Sequence, residues 1–372
     1  MEKIRNIEVR FHDRTVGRLS FSPDNMRCVF EYDRDWVGNG FSISPLEIPL
    51  KFGSFVAKAM PFEGGFGIFE DSLPDGYGRY MLHKALKREG IDDNSLSVLD
   101  RLSIVGDNGM GALTYRPVNR LMVNDMMDDL DLLQQKALEV LGGRQDDDAE
   151  LLLFNSGNSG GARPKVVYQD SQGHWLVKFR HTYDPKDIGL QEFNYNEVAR
   201  RCGIDVPDYK LIDGRYFASR RFDIASNGER IHMATVGGLL CIPLGHPVLD
   251  YDNLLALAGF LTQNSEDVEQ MFRRMVFNYL AGNKDDHCKN FSFIVVGDFE
   301  SGWHWKLAPA YDLTLCEAGY NGEHATSVNG TGRPTLNDFI ASGEKVRIKG
   351  DKCRRLIDEV YSNIGDLLRY KL

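Results

Sequence analysis

Several features are missing from this 372-residue chain, and each absence narrows what it can be. No two cysteines stand at CxxC spacing. The six, Cys28, Cys202, Cys241, Cys288, Cys316 and Cys353, lie far apart, which excludes the dense framework of a small secreted disulfide scaffold and reads as reduced thiols. There is no excess of positive charge: 44 Lys and Arg against 54 Asp and Glu leave a net charge of −10. A protein that grips nucleic acid over its whole surface is thereby excluded, although a local basic patch is not. There is no long hydrophobic run, and the opening stretch MEKIRNIEVRFHDRTVG has no apolar signal core. The expectation is therefore a soluble, cytoplasmic protein without membrane association. Repeats and low-complexity segments are also absent. What remains, 42% apolar and 26% charged residues, is enough for two or three packed units with a real hydrophobic core.

Residues 4 to 60 alternate as strands do, in IEVRF, VGRLSF and CVFEYD, with the turn residues SPDN before the last, and predict an antiparallel sheet. The Pro-Asp-Gly turn in LPDGYGRYMLHKALKREG opens a helical rhythm of Tyr80, Leu82 and Leu86 that Gly90 stops. A second helix is expected over SLSVLDRLSIVG, then a glycine-rich turn, DNGMG, and a short strand, ALTYR. From 118 to 154 the pattern is helical and acidic, and Gly142-Gly143 break it. Beyond 155 come a Gly/Ser-rich loop, the strands KVVYQ and HWLVKFR, a helix through EFNYNEVARRCG, strands near YKLID and YFASRRFD, and helices from about 250 to 282.

Those helices run into NKDDHCKNFSFIV, the most informative segment. Asp285 stands five residues before Asn290, a strand follows at once, the turn GDFESG leads to a return strand WHWKLA, and PAYDL then supplies Asp312. Phosphoryl transfer from ATP needs one carboxylate to orient the attacking hydroxyl, and oxygen ligands for a magnesium ion that bridges the phosphates. Protein kinases use this order and spacing: base, metal-binding Asn, metal-binding Asp. Asp285, which has the five-residue offset, is assigned as the base, Asn290 and Asp312 as the metal ligands, and Asp286 as a solvated or capping residue. His287 is read as bracing the loop beside the nucleotide, and Lys289 as neutralising the transferred phosphate. The plain alternative for NKDDHCKN is a polar helix-to-strand loop.

The segment SGNSGGARPK, 156 to 165, is a second candidate. Small residues there let backbone N–H groups approach phosphates, and Lys165 adds charge. It is neither a Walker A loop nor GxGxxG, and a flexible linker is the alternative. Lys178, inside the apolar strand HWLVKF, needs an anion if it is buried. Either a phosphate meets it or it lies on an edge facing solvent. Glu192 and Glu197, on the following helix, are both candidates to pair with it, Glu192 being preferred. Arg221 and Asp223 in SRRFD pair locally or fix the segment between the lobes, on the nucleotide side. The nucleotide-side set is thus Lys178, Gly160, Gly161, Lys165, Glu192, Arg221, Asp223 and His287.

The chain also resembles the HipA toxins of bacterial toxin–antitoxin modules over nearly its whole length. The likeness runs through FEYD (30 to 33), PLEIPL (45 to 50), LPDGYGR (73 to 79), GDNGMGAL (106 to 113), GGARPK (160 to 165), Lys178, GIDVPD (203 to 208), RRFD (220 to 223), DDHCKNFSF (285 to 293) and PAYD (309 to 312). The resemblance implies an α+β, two-lobed protein-kinase-like fold with a β-rich N-terminal subdomain (1–118) and a helical connector (119–154). A kinase core (155–372) would follow, with ATP-binding strands over 155–235 and a mainly helical lobe over 236–372. It implies transfer of phosphate from ATP and Mg2+ to a protein serine or threonine, commonly on a tRNA-charging enzyme, with growth arrest. It implies a helix-turn-helix antitoxin as partner, and contact with DNA only through that antitoxin. It further implies autophosphorylation in the 156–165 loop. There the sequence departs from the usual pattern: counting back seven residues from Lys165 reaches Asn158, with Ser156 and Ser159 on either side as candidates. A scaffold or corepressor, and a small-molecule kinase, remain as other readings.

Overall fold

The computed structural model describes residues 3–119, 127–144, 147–157 and 160–370. Strict alternation organises the first part. Ile7, Val9 and Phe11 of the strand Asn6–Phe11, and Cys28, Phe30 and Tyr32 of Cys28–Tyr32, all point inward, because a period of two sends every second side chain to one face. With Arg14–Phe21, Ser54–Val56 and Leu113–Arg116 these strands form a five-stranded antiparallel sheet in which Leu113–Arg116 returns to lie beside Asn6–Phe11. Phe66, Ile68, Phe69, Leu99 and Leu102 share its core.

The helix Gly76–Arg88 begins at the Pro-Asp-Gly turn and buries Tyr77, Met81, Leu82, Ala85 and Leu86, a single apolar stripe. The helix Val98–Val105 opens with a capping box: Ser97 Oγ accepts from the Asp100 amide at 3.2 Å, and Asp100 accepts from the Ser97 amide at 2.9 Å. Gly76–Arg88 packs into a second core, shared with the helices Leu130–Leu141 and Ala149–Ser156 and with one face of a four-stranded sheet. That sheet is antiparallel, in the order Lys165–Asp170, Gly173–Lys178, Tyr216–Arg220 and Tyr209–Ile212, and the helix Ile188–Arg201 lies against its last two strands.

The C-terminal part is mainly helical. Tyr251–Thr262, Ser265–Ala281, Leu336–Lys345 and Gly350–Asn363 gather around Phe272, Met275, Phe277 and Phe339. A hairpin, Ser292–Asp298 with Gly302–Leu307, extends to Met233–Thr235 as a three-stranded antiparallel sheet. The α+β class expected from the sequence is what the fold has: mainly antiparallel sheets, with most of the longer helices gathered in the C-terminal part. Among the described residues no helix is long and apolar enough to cross a membrane.

Candidate functional site

Lys165 and Lys178 stand directly opposite each other on adjacent antiparallel strands. Two like charges in that position repel, and both are turned away from water, so the surroundings must compensate. Lys178 contacts Glu192 Oε1 and Asp312 Oδ1 at once, its side chain only 11% exposed. Burial alone would lower its pKa, but Asp312 and Glu192 outweigh that and hold the ammonium above the ordinary lysine range. The strand is internal, which removes the solvent-facing reading of Lys178, and the choice between glutamates falls to Glu192. Glu197 instead accepts from the Tyr209 hydroxyl at 2.5 Å on the exposed side of the helix. Lys165 donates to the Gly160 carbonyl, and burial keeps its pKa below the usual lysine value despite Asp312 nearby.

The loop carrying Asp285 is set by the end of the helix before it. Gly282, at φ 71°, takes the left-handed conformation and its amide donates to the carbonyls of Asn278 and Tyr279, a turn that glycine adopts without steric cost. The chain then folds on itself. Asn290 Nδ2 donates to the Asp285 carbonyl at 2.7 Å, and the Asn290 amide to the His287 carbonyl at 2.9 Å. His287 Nδ1 accepts from the Lys289 amide at 3.2 Å, and the Tyr311 hydroxyl donates to the Lys289 carbonyl at 2.7 Å. With its amide nitrogen engaged, Asn290 has its side-chain oxygen left as a donor atom. Asp312 sits at φ 54°. Burial would raise its pKa, but Lys178 and Lys165 hold its carboxyl well below the usual range.

Of the two readings of Asp286, solvated or capping, the structure removes the first: it caps the backbone amides of Ala325 and Thr326. It is fully buried rather than solvated, and it accepts from the Tyr251 hydroxyl and His324 Nδ1 at 3.0 Å and from the Ala325 amide at 2.9 Å. Anchored this way, it leaves Asp285 as the carboxylate of the loop that faces the cleft. Withdrawal from bulk water, together with the charges of Asp312 and Asp286, pushes the Asp285 pKa up, and His287, 3.7 Å away, partly opposes this.

Lys165, Lys178, Gly161, Asp285, His287, Asn290 and Asp312 line one cavity of about 470 Å³. An adjoining cavity of about 120 Å³ shares Gly161, the two lysines, His287, Asn290 and Asp312, and adds Gly160, Arg221 and Asp223 beside the apolar Leu176, Phe217 and Phe222. Arg221 and Asp223 form a bidentate pair with each other, at 3.0 and 2.6 Å, and Asp223 also accepts from the Gly111 amide at 2.8 Å. They thus pair locally and fasten the glycine-rich turn of the N-terminal part to the second sheet. Lys289, read as a charge for the transferred phosphate, is engaged by Asp75 at 3.4 Å and Asp71 at 3.8 Å. Neither aspartate was singled out from the sequence, although Asp75 lies in the quoted LPDGYGR. Ser156 is not in a loop: it ends the helix Ala149–Ser156, buried, with its hydroxyl donating to the Leu153 carbonyl at 2.7 Å. Ser159 and Asn158 lie outside the described residues.

Chemically, the cleft offers an ammonium fixed by two carboxylates, a carboxylate of raised pKa, and two hard oxygen donors on Asn290 and Asp312. That donor pair is too small for a protein-only metal cage. It suits an ion such as magnesium that keeps water and phosphate oxygens among its ligands.

Comparison with known proteins agrees with this architecture. The protein Y4dM of Sinorhizobium fredii is 25% identical over 351 residues, covering 88% of this chain and 81% of its own length. The serine/threonine-protein kinase toxin HipA of Shewanella oneidensis is 23% identical over 343 residues, covering 84% of this chain and 75% of its own. A solved complex of HipA, HipB and operator DNA from Shewanella oneidensis has the same fold, with a TM-score of 0.72 at 17% identity over 97% of this chain and 89% of that one. Residues 7–116 match the HipA N-terminal domain, and residues 157–367 match the HipA-like C-terminal domain. With more than half of its length accounted for by that second match alone, the chain belongs to the HipA family.

Proposed function

We propose that this protein is an ATP-dependent serine/threonine protein kinase. The observation that carries the reading is Lys178: a buried ammonium bridged between a helix glutamate, Glu192, and the carboxylate Asp312, in the same cavity as Asp285 and Asn290. In phosphoryl transfer the protein's work is positioning and charge compensation. Lys178, fixed by Glu192, meets the nucleotide phosphates. Asp285 accepts the proton of the acceptor hydroxyl, a task its raised pKa favours over an ordinary surface aspartate. Asn290 and Asp312 would hold magnesium, which would supply charge neutralisation for the phosphates. Gly160 and Gly161 line the adjoining cavity, where their small size leaves room, and the apolar wall of Leu176, Phe217 and Phe222 suits a flat base.

The test is direct. Purified protein given radiolabelled ATP and magnesium labels itself or a protein of a cell lysate, and Asp285→Asn does not. Full labelling by that variant overturns the assignment. Because the structural neighbour is a complex of HipA with HipB and operator DNA, the same reading extends to a small DNA-binding antitoxin as partner and to growth arrest as outcome. An Asp312→Asn chain that still arrests growth on expression would separate toxicity from phosphotransfer.

A further inference from the structure

Asp75 is the N-cap residue of the helix Gly76–Arg88, yet its side chain makes no capping hydrogen bond to that helix. An aspartate in this position ordinarily accepts from the second or third amide of its own helix. Here the carboxylate is directed elsewhere. Oδ1 accepts from the Gly161 amide at 2.7 Å, and Oδ2 faces the Lys289 ammonium at 3.4 Å. Two segments far apart in the chain, the glycine turn before Lys165 and the loop that carries Asn290, therefore meet on one carboxylate supplied by the N-terminal part of the molecule.

The backbone is fitted around this contact. The Tyr77 amide donates to the Gly161 carbonyl at 2.9 Å. A Cβ on Gly76, which has φ 45°, would stand 2.4 Å from the Gly161 carbonyl oxygen, and one on Gly160 would stand 3.0 Å from Asp75 Oδ1. Glycine is required at Gly76 for the two turns to close, and at Gly160 a side chain would push the Asp75 carboxylate aside by a few tenths of an ångström. Gly160 in turn gives its carbonyl to Lys165, the residue opposite Lys178. On the other side, Lys289 is held by Asp71 as well as by Asp75.

We infer that Asp75 is a positioning residue of the nucleotide site: it ties the Gly160–Gly161 turn to the Lys289 end of the catalytic loop, so that the N-terminal part completes the site. The inference rests on the kinase reading, but its local consequence does not. A carboxylate beside an anion-binding cleft repels phosphate, so on Coulomb's law alone its removal tightens nucleotide binding. A positioning role has the opposite sign.

The experiment compares wild type, Asp75→Ala and Asp75→Asn by hydrogen exchange and by titration with a fluorescent ATP analogue in magnesium. Asp75→Asn keeps an oxygen for the Gly161 amide and loses the charge facing Lys289. The expected result is faster exchange over residues 160–165 in Asp75→Ala but not in Asp75→Asn, with any other change confined to the loop around Lys289. Nucleotide affinity is expected to weaken about tenfold or more in Asp75→Ala and less in Asp75→Asn. Unchanged or tighter binding in Asp75→Ala overturns the inference. So does exchange that rises throughout the protein, since that marks a general structural role. If Asp75→Ala does not fold, Asp75→Asn alone decides: wild-type protection at Gly161 with weakened binding supports the inference, and lost protection or unweakened binding overturns it. Absence of nucleotide binding by the wild type would instead sink the kinase reading, while the exchange comparison would still report on the clamp.

Discussion

Asp285 and Asp286 are neighbours in the chain that face opposite ways, the first lining the cleft with 55% of its side chain accessible and the second fully buried. Their substitutions should therefore fail differently. Asp285→Asn is expected to lower phosphotransfer by at least about 100-fold with little change in melting temperature, because among the described residues its carboxylate faces only the partly exposed His287, at 3.7 Å. Asp286→Ala strands the Tyr251 hydroxyl, His324 and the Ala325 amide, and leaving such donors unsatisfied costs about 3 kcal/mol or more. Thermal unfolding with parallel phosphotransfer assays checks both. Equal destabilisation by the two substitutions would contradict this division.

The raised pKa of Asp285 sets the acid side of the rate profile. A general base must be ionised, so kcat/KM should fall on acidification at a pH above the ordinary aspartate value of about 3.9. His287, 3.7 Å from the carboxylate, favours its charged form. His287→Asn removes that help and should move the acid limb further up in pH. A limb that moves down instead would exclude Asp285 as the titrating group.

Lys178 is expected to govern Asp312. With the ammonium present, the Asp312 carboxyl is held well below its normal range. Its contribution to stability is then fully present above the unfolded carboxylate pKa and is lost only as the pH falls through the depressed folded value. Lys178→Met leaves Glu192 and Asp312 without their shared cation. The expected outcome is an Asp312 pKa that rises to or above the ordinary value, read by carboxyl NMR, together with loss of nucleotide binding. Retention of tight nucleotide binding would argue against the lysine as the phosphate contact.

Much of this centre was legible because its parts are local. Asp285, Asn290 and Asp312 are separated only by a loop and one hairpin, so their spacing carries over directly into space. Lys178 could be singled out because a charged residue in an apolar strand has to find an anion. The start of the helix Gly76–Arg88 is equally readable, since the Pro-Asp-Gly turn that ends at Gly76 announces it. The partners of Lys289 were not. Asp71 and Asp75 arrive from the N-terminal part by tertiary packing, and no periodicity in the loop encodes them. The burial of Asp286 was hidden for a related reason: inside a polar loop, type and spacing do not say which of two adjacent carboxylates turns inward. Ser156 was assigned to a loop on its composition, whereas the apolar run LLLF before it continues the helix to that residue.

The Arg221 and Asp223 pair is buried on both sides. Removing one member of such a pair leaves an uncompensated charge, at a cost of about 3–5 kcal/mol, whereas replacing both by apolar residues is often close to neutral. Asp223→Ala should accordingly be severely destabilising, the more so because Arg230 adds a second positive charge nearby and the Gly111 amide loses its acceptor. The double variant Arg221→Met, Asp223→Leu should recover most of the loss in denaturant unfolding. A double variant no better than Asp223→Ala would mean that the pair is retained for its geometry rather than its charge balance.

His232 makes the fold acid-sensitive. It is buried between the rings of Phe41 and Trp305, with Nε2 donating to the Ile43 carbonyl at 3.0 Å and, among the described residues, no partner on Nδ1. Burial pushes its pKa down to about 4, so the folded protein keeps it neutral while the unfolded chain takes up a proton near pH 6.5. Unfolding therefore gains protons as the pH falls, and stability is lost progressively between about pH 6.5 and pH 4, by about 3 kcal/mol in full. His232→Phe fits among the same rings but cannot titrate. It costs the hydrogen bond to Ile43 at neutral pH, yet its unfolding free energy should decline less steeply over this interval than that of the wild type. Parallel slopes for the two proteins between pH 6.5 and 4 would show that His232 is already protonated in the fold, and that the acid sensitivity arises elsewhere.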